Sequence, residues 1–434
     1  MTAELSKTYD PAAVERDVQA RWDAAKAWHA DPRHSTEPAA GKPAMPPYSI
    51  VIPPPNVTAA LHLGHALNNT LQDVLIRYHR MRGFNACWLP GTDHAGIATQ
   101  TVVDRRLKAE GQPALAEHKE MESRGEPGRE QFIEKVQAWK DEYEARITDQ
   151  LKQMGCSCDW DRQRFTMDDT CAAAVREAFF QLFKEGLIYR GKRLVNWDPV
   201  TQTALADDEV EMQDVDGNFY YMKYPLWDPD AQSEVRDEQS EIQYVTVATT
   251  RPETMLGDTA VAVNPNDEAR KHFVGKHVRL PIVNRVIPIV GDDYVVIPKE
   301  NSTDAKEKYA SGFLKVTPAH DPNDYEIGQR HDLPMINVMA PDASISKDHG
   351  WPADEWSVPQ AAAEQSEAGG ASPTVSGFTH TLLGLSREDA RKAIVKWFKD
   401  HDLMAEVRPY RHAVGHSYRS HVPVEPYLSD QWYV

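Results

Sequence analysis

The residues best placed by type and spacing to do chemistry are His62, Gly64 and His65, in the run Leu61-His62-Leu63-Gly64-His65. They stand at the start of a helix-periodic segment, so both imidazoles can project toward whatever sits at its positive end. A phosphate chain is favoured there by free backbone N–H groups and by the helix dipole. Gly64 has no side chain and lets a flat base or a ribose approach the backbone closely. Two imidazoles beside phosphates can donate hydrogen bonds to oxygens whose charge grows during displacement. Taken alone the pattern is short, and two polar residues at any helix start would also produce it.

A second set lies in Thr249-Thr250-Arg251-Pro252-Glu253-Thr254-Met255-Leu256-Gly257-Asp258 and in Lys315-Val316-Thr317-Pro318-Ala319-His320-Asp321-Pro322-Asn323-Asp324. Hydroxyls, a lysine and two carboxylates three residues apart, Asp321 and Asp324, can together bind an ammonium group, a ribose and a positioned water. A polar turn closed by side-chain-to-backbone hydrogen bonds accounts for Asp-Pro-Asn-Asp as well.

The neighbours of both sets carry a resemblance. Pro53-Pro54-Pro55-Asn56-Val57-Thr58, His62-Leu63-Gly64-His65-Ala66-Leu67-Asn68-Asn69 and Gly91-Thr92-Asp93-His94-Ala95-Gly96 to Gln100 closely resemble the class I aminoacyl-tRNA synthetases. The prolines followed by Asn-Val-Thr are similar to the valyl enzymes rather than to their isoleucyl or leucyl relatives. One departure is Ala59, where that family usually has glycine; alanine fits only if the backbone needs no positive φ. The resemblance implies that His62 and His65 stabilise the phosphates of ATP in the transition state, with Gly64 in the same nucleotide site. It implies that Pro54, Pro55, Asn56 and Asp93 line the amino-acid site, Asp93 meeting the ammonium group of valine. ATP would be a substrate accompanied by Mg2+ held largely by phosphates and water. The reaction would be valine plus ATP giving valyl-adenylate and pyrophosphate, then acyl transfer to the terminal ribose of the tRNA for valine.

The second set resembles the editing domain of the same family. There the resemblance makes Asp324 the recogniser of the misattached amino acid's ammonium group and essential to hydrolysis. Arg251, Thr254, Lys315 and Asp321 would hold the substrate and the terminal adenosine. Valine and threonine are near-isosteric, so an apolar pocket rejects the added hydroxyl by only about a hundredfold, a figure established for the valine enzymes themselves. A second site with hydrogen-bonding groups accepts threonine and holds valine poorly.

The elements that must position these residues are legible nearby. Tyr48-Ser49-Ile50-Val51-Ile52 reads as a buried strand stopped by prolines. Leu67, Leu71, Val74, Leu75, Tyr78 and Met81 fall on one helical face, ended by Gly83. Asn85 to Leu89 reads as a second strand. The polar loops then emerge at the strands' carboxyl ends, where open α/β sheets bind ligands. Ahead of them Asp10-Pro11 starts a helix with Val14, Val18 and Trp22 on one face, expected to pack on the same domain.

Further along, 104–131 reads as a loop-rich connection with one short helix, because Gly111, Pro113, Gly125, Pro127 and Gly128 interrupt it. A helix follows, with Phe132, Val136, Trp139, Tyr143, Ile147, Leu151 and Met154 on one face. Another spans about 169–185, before short strands at 187–189 and 194–199. From about Gly217 short β-type runs dominate, at 220–224, 243–250, 259–263, 278–281, 286–290 and 294–297, which suggests a β-barrel-like domain. Residues 352–376 read as disordered or surface-inserted, and Ser386 caps a helix with Ala390, Ile394, Trp397 and Phe398 as core.

The fold class expected is α/β: the first half of a doubly wound, Rossmann-like nucleotide-binding catalytic domain with an inserted β-barrel-like editing domain. The boundaries expected are 1–212 for the leading helix and catalytic half, 213–400 for the insert and 401–434 for the return segment.

The 434 residues exceed what one core usually organises. No apolar run reaches the length of a membrane span, and no secretory signal opens the chain. The expected location is the cytoplasm and the expected state a monomer with no membrane partner. A net charge of −18 argues against a general nucleic-acid-coating surface. One particular RNA can still be held by a local patch such as Lys184, Arg190, Lys192 and Arg193, residues that a solvated surface would also carry. Cys87, Cys156, Cys158 and Cys171 are too few for a disulfide framework, and Cys156-Ser157-Cys158 lacks a second ligand pair for a metal. Some relatives carry a cysteine pair where this chain has Ser417 and Ser420, so no zinc or other protein-held metal is expected.

Nothing in the chain resembles the family's second nucleotide-binding half, its Lys-Met-Ser-Lys-Ser loop or its anticodon-binding domain, so a fragment of a longer synthetase is expected. Two rival readings stand beside it. One is a stand-alone nucleotidyltransferase, which would need no β insert. The other is a chain acting only as a mischarged-tRNA deacylase or tRNA-binding fragment.

Overall fold

Pro11 occupies the first turn of α1 (Pro11–Ala24), with Asp10 at the N-cap position but no side-chain bond to the helix. The one-turn α2 (Arg33–Thr36) leads to β1 (Pro47–Val51). The structure, a computed structural model, describes residues 8, 10–37, 40–299, 301–356 and 376–434. Most of the 352–376 stretch therefore lies outside the described residues. Contacts divide the chain into two compact units, Met1–Ile188 and Tyr189–Val434.

In the first unit α3 (Leu63–Met81) carries the chain from β1 to β2 (Asn85–Leu89). The two strands pair in parallel from Pro47↔Asn85 to Val51↔Leu89, which requires a crossover of this kind. Gly83 ends the helix at φ +83°, a conformation only glycine adopts without strain. A second parallel pair joins β3 (Gly91–Thr92) to β4 (Arg164–Phe165). The core gathers Ile52, Val57, Ile76, Trp88, Ile147, Leu151, Cys156 and Cys158. Both of those cysteines are free, and burial pushes the Cys156 thiol up to about 12 and raises Cys158 as well. Trp22 of α1 packs edge-on to Trp28, and the Arg77 guanidinium of α3 lies 5.3 Å from the first ring and 5.0 Å from the second.

One expectation, the loop-rich connection at 104–131, needs correction here, and the shared face of the α3 stripe left open what covers it. The apolar face of α3 is not core in this structure: Leu67, Leu71, Val74, Leu75, Tyr78 and Met81 are 46–88% exposed, and the buried residues are Asn69 and Ile76 on the other flank. Periodicity identifies an apolar stripe but not what covers it, and the sheet beside α3 has only two strands. The connection at 104–131 is mostly helical, with α4 (Ile97–Ala109), α5 (Leu115–Ser123) and the start of α6 (Gly128–Gln153). Gly111 and Gly125 stand just past helix ends at φ +67° and +78°, and Pro113 and Pro127 precede helix starts. Here the breakers punctuate helices rather than abolish them. The helix α7 (Asp169–Lys184) starts at Asp168, whose carboxylate accepts the Cys171 N–H at 2.8 Å.

The second unit is built on two sheets. One contains β5 (Tyr189–Asp198), β6 (Thr203–Leu205) and, at the end of the chain, β15 (Glu425–Tyr433). The other has eight strands and centres on the 19-residue β7 (Val210–Asp228). Around it stand β8 (Ser233–Glu234), β9 (Tyr244–Thr249), β10 (Ala260–Val263), β11 (His277–Arg279), β12 (Val286–Gly291), β13 (Leu314–Val316) and β14 (Met404–Ser417). Their path runs β13-β10-β12-β11-β7-β14, with β8 and β9 also on β7. The run 294–297 is not a strand, and 220–224 is one part of the longer β7. Among the described residues its α-helices are α8 (Ala305–Tyr309), α9 (Pro322–Arg330), α10 (Gly377–Leu382) and α11 (Arg387–Asp400). Ser386 accepts the Asp389 N–H to start α11, which buries Ala390, Ile394 and Phe398.

Candidate functional sites

The first site is assembled at the strand ends of the first unit. His62 is the N-cap of α3, and its Nδ1 accepts the Gly64 N–H at 3.1 Å. His65 Nδ1 in turn accepts the His62 N–H at 3.3 Å. This is a capping box made of imidazoles, with ring centroids 4.1 Å apart. Because each Nδ1 is an acceptor, each neutral ring carries its proton on Nε2 as a remaining donor. Burial and the neighbouring His62 lower the pKa of His65, which keeps that ring neutral. A Cβ on Gly64 would lie 2.9 Å from His62 Cε1, so the glycine makes room for the ring itself. Ala59 is not among the residues at positive φ, so the departure from glycine costs no strain.

The loops carrying Pro54, Pro55, Asn56 and Asp93 are brought together. Asn56 and Asp93 form an isolated parallel bridge, the Asp93 N–H donating to the Pro55 carbonyl at 2.8 Å and the Val57 N–H to the Asp93 carbonyl at 3.0 Å. The Asp93 carboxylate is half-buried and accepts the Thr166 hydroxyl at 2.8 Å. Thr166 also accepts the His94 N–H at 2.9 Å. Sequence reasoning missed Thr166, which follows the minimal β4 and carries no local signal.

The second site lies in the second unit. The Asp258 side chain is fully buried: Oδ1 accepts from Lys315 Nζ at 3.2 Å and from the Thr317 hydroxyl at 2.6 Å, and Oδ2 accepts from Tyr224 at 2.9 Å. Lys315 therefore directs its ammonium inward, to Asp258 and Thr317. Asp321 caps α9, its Oδ1 accepting the N–H groups of Asn323 and Asp324 at 2.8 and 3.2 Å. One turn inside, Asp324 is 6% exposed and accepts the Thr317 N–H at 2.8 Å. Burial pushes its carboxyl up to about 7, the Asp321 charge adds to the rise, and Lys315 opposes it. Such a group is half-ionised at neutral pH and gains a strong partner in any ammonium ion that reaches it. Thr254 is buried, its hydroxyl donating to the Arg251 carbonyl at 3.0 Å.

His320 is also buried there. Its Nε2 accepts the Val338 N–H at 3.1 Å, and desolvation drives its pKa down to about 3. Asp258, Thr317 and His320 stand within the stretches read as chemical, yet their types alone did not single them out. Among the described residues one trio, His29, Asp159 and Asp161, has metal-like spacing, but Arg162 and Lys26 already pair with its carboxylates. Ser417 donates to the buried Asp198 carboxylate at 2.6 Å.

A parallel strand–helix–strand unit with a histidine-capped helix start, joined to a β-rich unit with a second polar site, defines an α/β architecture of the nucleotide-binding type with an insert. The family model for class I tRNA synthetases (I, L, M and V) matches residues 18–434, and the chain belongs to that family. It is 46% identical over 432 residues to a valine--tRNA ligase of Protochlamydia amoebophila, covering 99% of this chain and 38% of that protein. To those of Agrobacterium fabrum and Mesorhizobium japonicum it is 47% identical, covering 99% of this chain and 42% of each. The chain thus spans 38–42% of the length of these relatives. A solved LeuRS from Agrobacterium radiobacter in complex with tRNA covers 96% of this chain and 49% of that one at 17% identity, with a TM-score of 0.39 too low to carry weight.

Proposed function

We propose that this chain carries the amino-acid activation histidines and the hydrolytic editing site of a valine--tRNA ligase, acting on valine, ATP and the tRNA for valine in the cytoplasm, as a monomer. The catalytic half would span 1–212, the editing domain 213–400 and the return segment 401–434. The observation that carries the activation reading is the imidazole capping box, which leaves two Nε2–H donors at a helix start. Those donors meet negative charge that develops on ATP phosphates during displacement, and so act mainly on the transition state. The helix start offers donors and no carboxylate cage, which fits Mg2+ brought in by the nucleotide's phosphates. Asp93, held by Thr166 next to Asn56, suits the ammonium group of valine. No helix among the described residues is long and apolar enough to cross a membrane.

Editing is supported by Asp324, a buried carboxyl with a single backbone donor and room in its charge balance for a cation. In this reading Asp324 holds the threonine ammonium while Asp321, Thr254 and Arg251 shape the loops around the ester. Release of labelled threonine from mischarged tRNA for valine tests it. The chain should deacylate, Asp324→Ala should abolish the release, and His65→Ala should leave it unchanged. Equal rates for the parent and Asp324→Ala would overturn the editing assignment.

A further inference from the structure

Arg251 has its guanidinium anchored from outside the eight-stranded sheet. It follows β9 of that sheet, whereas Glu425 begins β15, which pairs along nine residues with β5. Arg251 Nη2 donates to Glu425 Oε2 at 2.5 Å. The other oxygen, Oε1, accepts from Arg387 Nη1 of α11, also at 2.5 Å. Glu425 is 4% exposed, so both oxygens are removed from water and each has one cation. Arg251 Nη1 is then free to donate to the His320 carbonyl at 3.1 Å. His320 immediately precedes Asp321, the cap of the helix that seats Asp324. Glu253 is the other carboxylate within reach of Arg251, at 3.4 Å from Nε, but its two oxygens already accept from Arg391 at 2.8 and 2.7 Å.

We propose that Glu425 is a positioning residue for the hydrolytic site: by fixing Arg251 it holds the His320 carbonyl, and through it the Asp321–Asp324 turn. The inference rests on the editing reading of Asp324. A buried carboxylate between two guanidinium groups is weak evidence for stability, because the desolvation of three charges offsets most of their attraction. It is strong in direction, since an arginine fork bonded on two sides has one orientation. Without the Glu425 charge, Arg251 keeps only its long Nε bond to Glu253, at 3.4 Å, and Nη1 is no longer held on the His320 carbonyl. The strand that begins with Glu425 thereby sets the geometry of the turn that opens α9.

The test compares Glu425→Gln with Arg387→Met in the full chain. The second substitution removes the other partner of Glu425 and leaves Arg251 untouched. Two readouts are followed: threonine release from mischarged tRNA for valine, resolved into kcat and KM, and titration of the Asp324 carboxyl by carbon-13 NMR without RNA. Glu425→Gln should lower kcat about tenfold or more, as small displacements of reacting groups do, and should move the Asp324 titration. Arg387→Met should leave both near the parent, and Glu425→Asp should recover part of each. If Glu425→Gln fails to fold, Glu425→Asp is judged against Arg387→Met on the same readouts. An Asp324 titration unmoved by the Glu425 substitutions, or moved equally by Arg387→Met, overturns the proposal. Should Asp324→Ala deacylate like the parent, the editing reading falls, and the NMR titration alone still decides whether Glu425 positions the turn.

Discussion

The His62 ring rests directly over Gly64: Nδ1 accepts the glycine's N–H at 3.1 Å, and a Cβ there would fall 2.9 Å from Cε1. Gly64 thus serves the histidine as much as any ligand. Gly64→Ala should push the imidazole off its cap and lose the Nε2–H donor's direction while α3 persists. In an exchange-competent synthetase carrying this segment, valine-dependent pyrophosphate exchange should fall by about a hundredfold, as for loss of one transition-state donor. Nitrogen-15 shifts of His62 should show the Nδ1-protonated tautomer appearing. An unchanged tautomer together with unchanged exchange would refute the role.

Thr166 should matter to amino-acid binding through Asp93. Its hydroxyl donates to the carboxylate at 2.8 Å and accepts from His94, so it sets where the charge points. Thr166→Val should weaken valine binding about tenfold, the size of a lost hydrogen bond to a charged group. Calorimetric titration with valine checks this, and Asp93→Ala should weaken binding more. Equal affinity in Thr166→Val and the parent would detach Thr166 from the site.

Asp324 makes the second unit's stability depend on pH. Its folded pKa of about 7 lies above the unfolded value of 3.8, chiefly through burial. Between those values the folded chain keeps a proton that the unfolded chain has released. The group's contribution is therefore fully present below about 3.8 and lost as pH rises through 7. Asp324→Asn should be more stable than the parent at pH 8, by on the order of a few kcal/mol, with the difference gone near pH 4. Deacylation should run the other way, rising through pH 7 as the carboxylate that pairs with an ammonium ion forms. Urea titrations and rate profiles at several pH values check both, and a flat rate profile would count against ammonium recognition by Asp324.

Lys315 is expected to act on stability first. Its ammonium is a partner of Asp258, whose side chain has no exposure. Lys315→Met leaves that carboxylate with two hydroxyl donors and no cation, which should cost about 3–5 kcal/mol. Adding Asp258→Asn should recover most of the loss, because the stranded charge is then gone. Denaturant midpoints of the single and double variants measure the coupling, and additive effects would show the pair to be independent.

Much of the local structure was legible because it depends on neighbours along the chain. The apolar, β-branched run at 48–52 and the apolar run at 85–89, with a helical stripe and Gly83 between them, were enough to place β1, α3 and β2, although β1 is half-exposed rather than buried. The aromatic stripe from Phe132 to Leu151 likewise gave α6. The same local rules failed at 104–131, where glycines and prolines lie between helices rather than in a loop, and along β7, whose 19 residues include Gly217 and Asp214. β14 pairs with that length in an extended antiparallel register from Val210↔Ser417 onward, and this pairing overrides the weak strand propensity.

Residue types and spacing alone determined that His62, Gly64 and His65 would sit at a helix start, and that Asp321 would close a turn before Asp324. Tertiary structure alone decided which partners those groups meet. The Asn56–Asp93 bridge, Thr166 on Asp93, Lys315 on Asp258 and Glu425 on Arg251 join residues far apart in the chain, through strand registers and crossovers that no short window contains. The exposure of the α3 stripe and the raised pKa of Asp324 belong to the same class. Periodicity along a chain states which residues share a face, but burial and charge are fixed by what lies against that face, and only the folded packing supplies it.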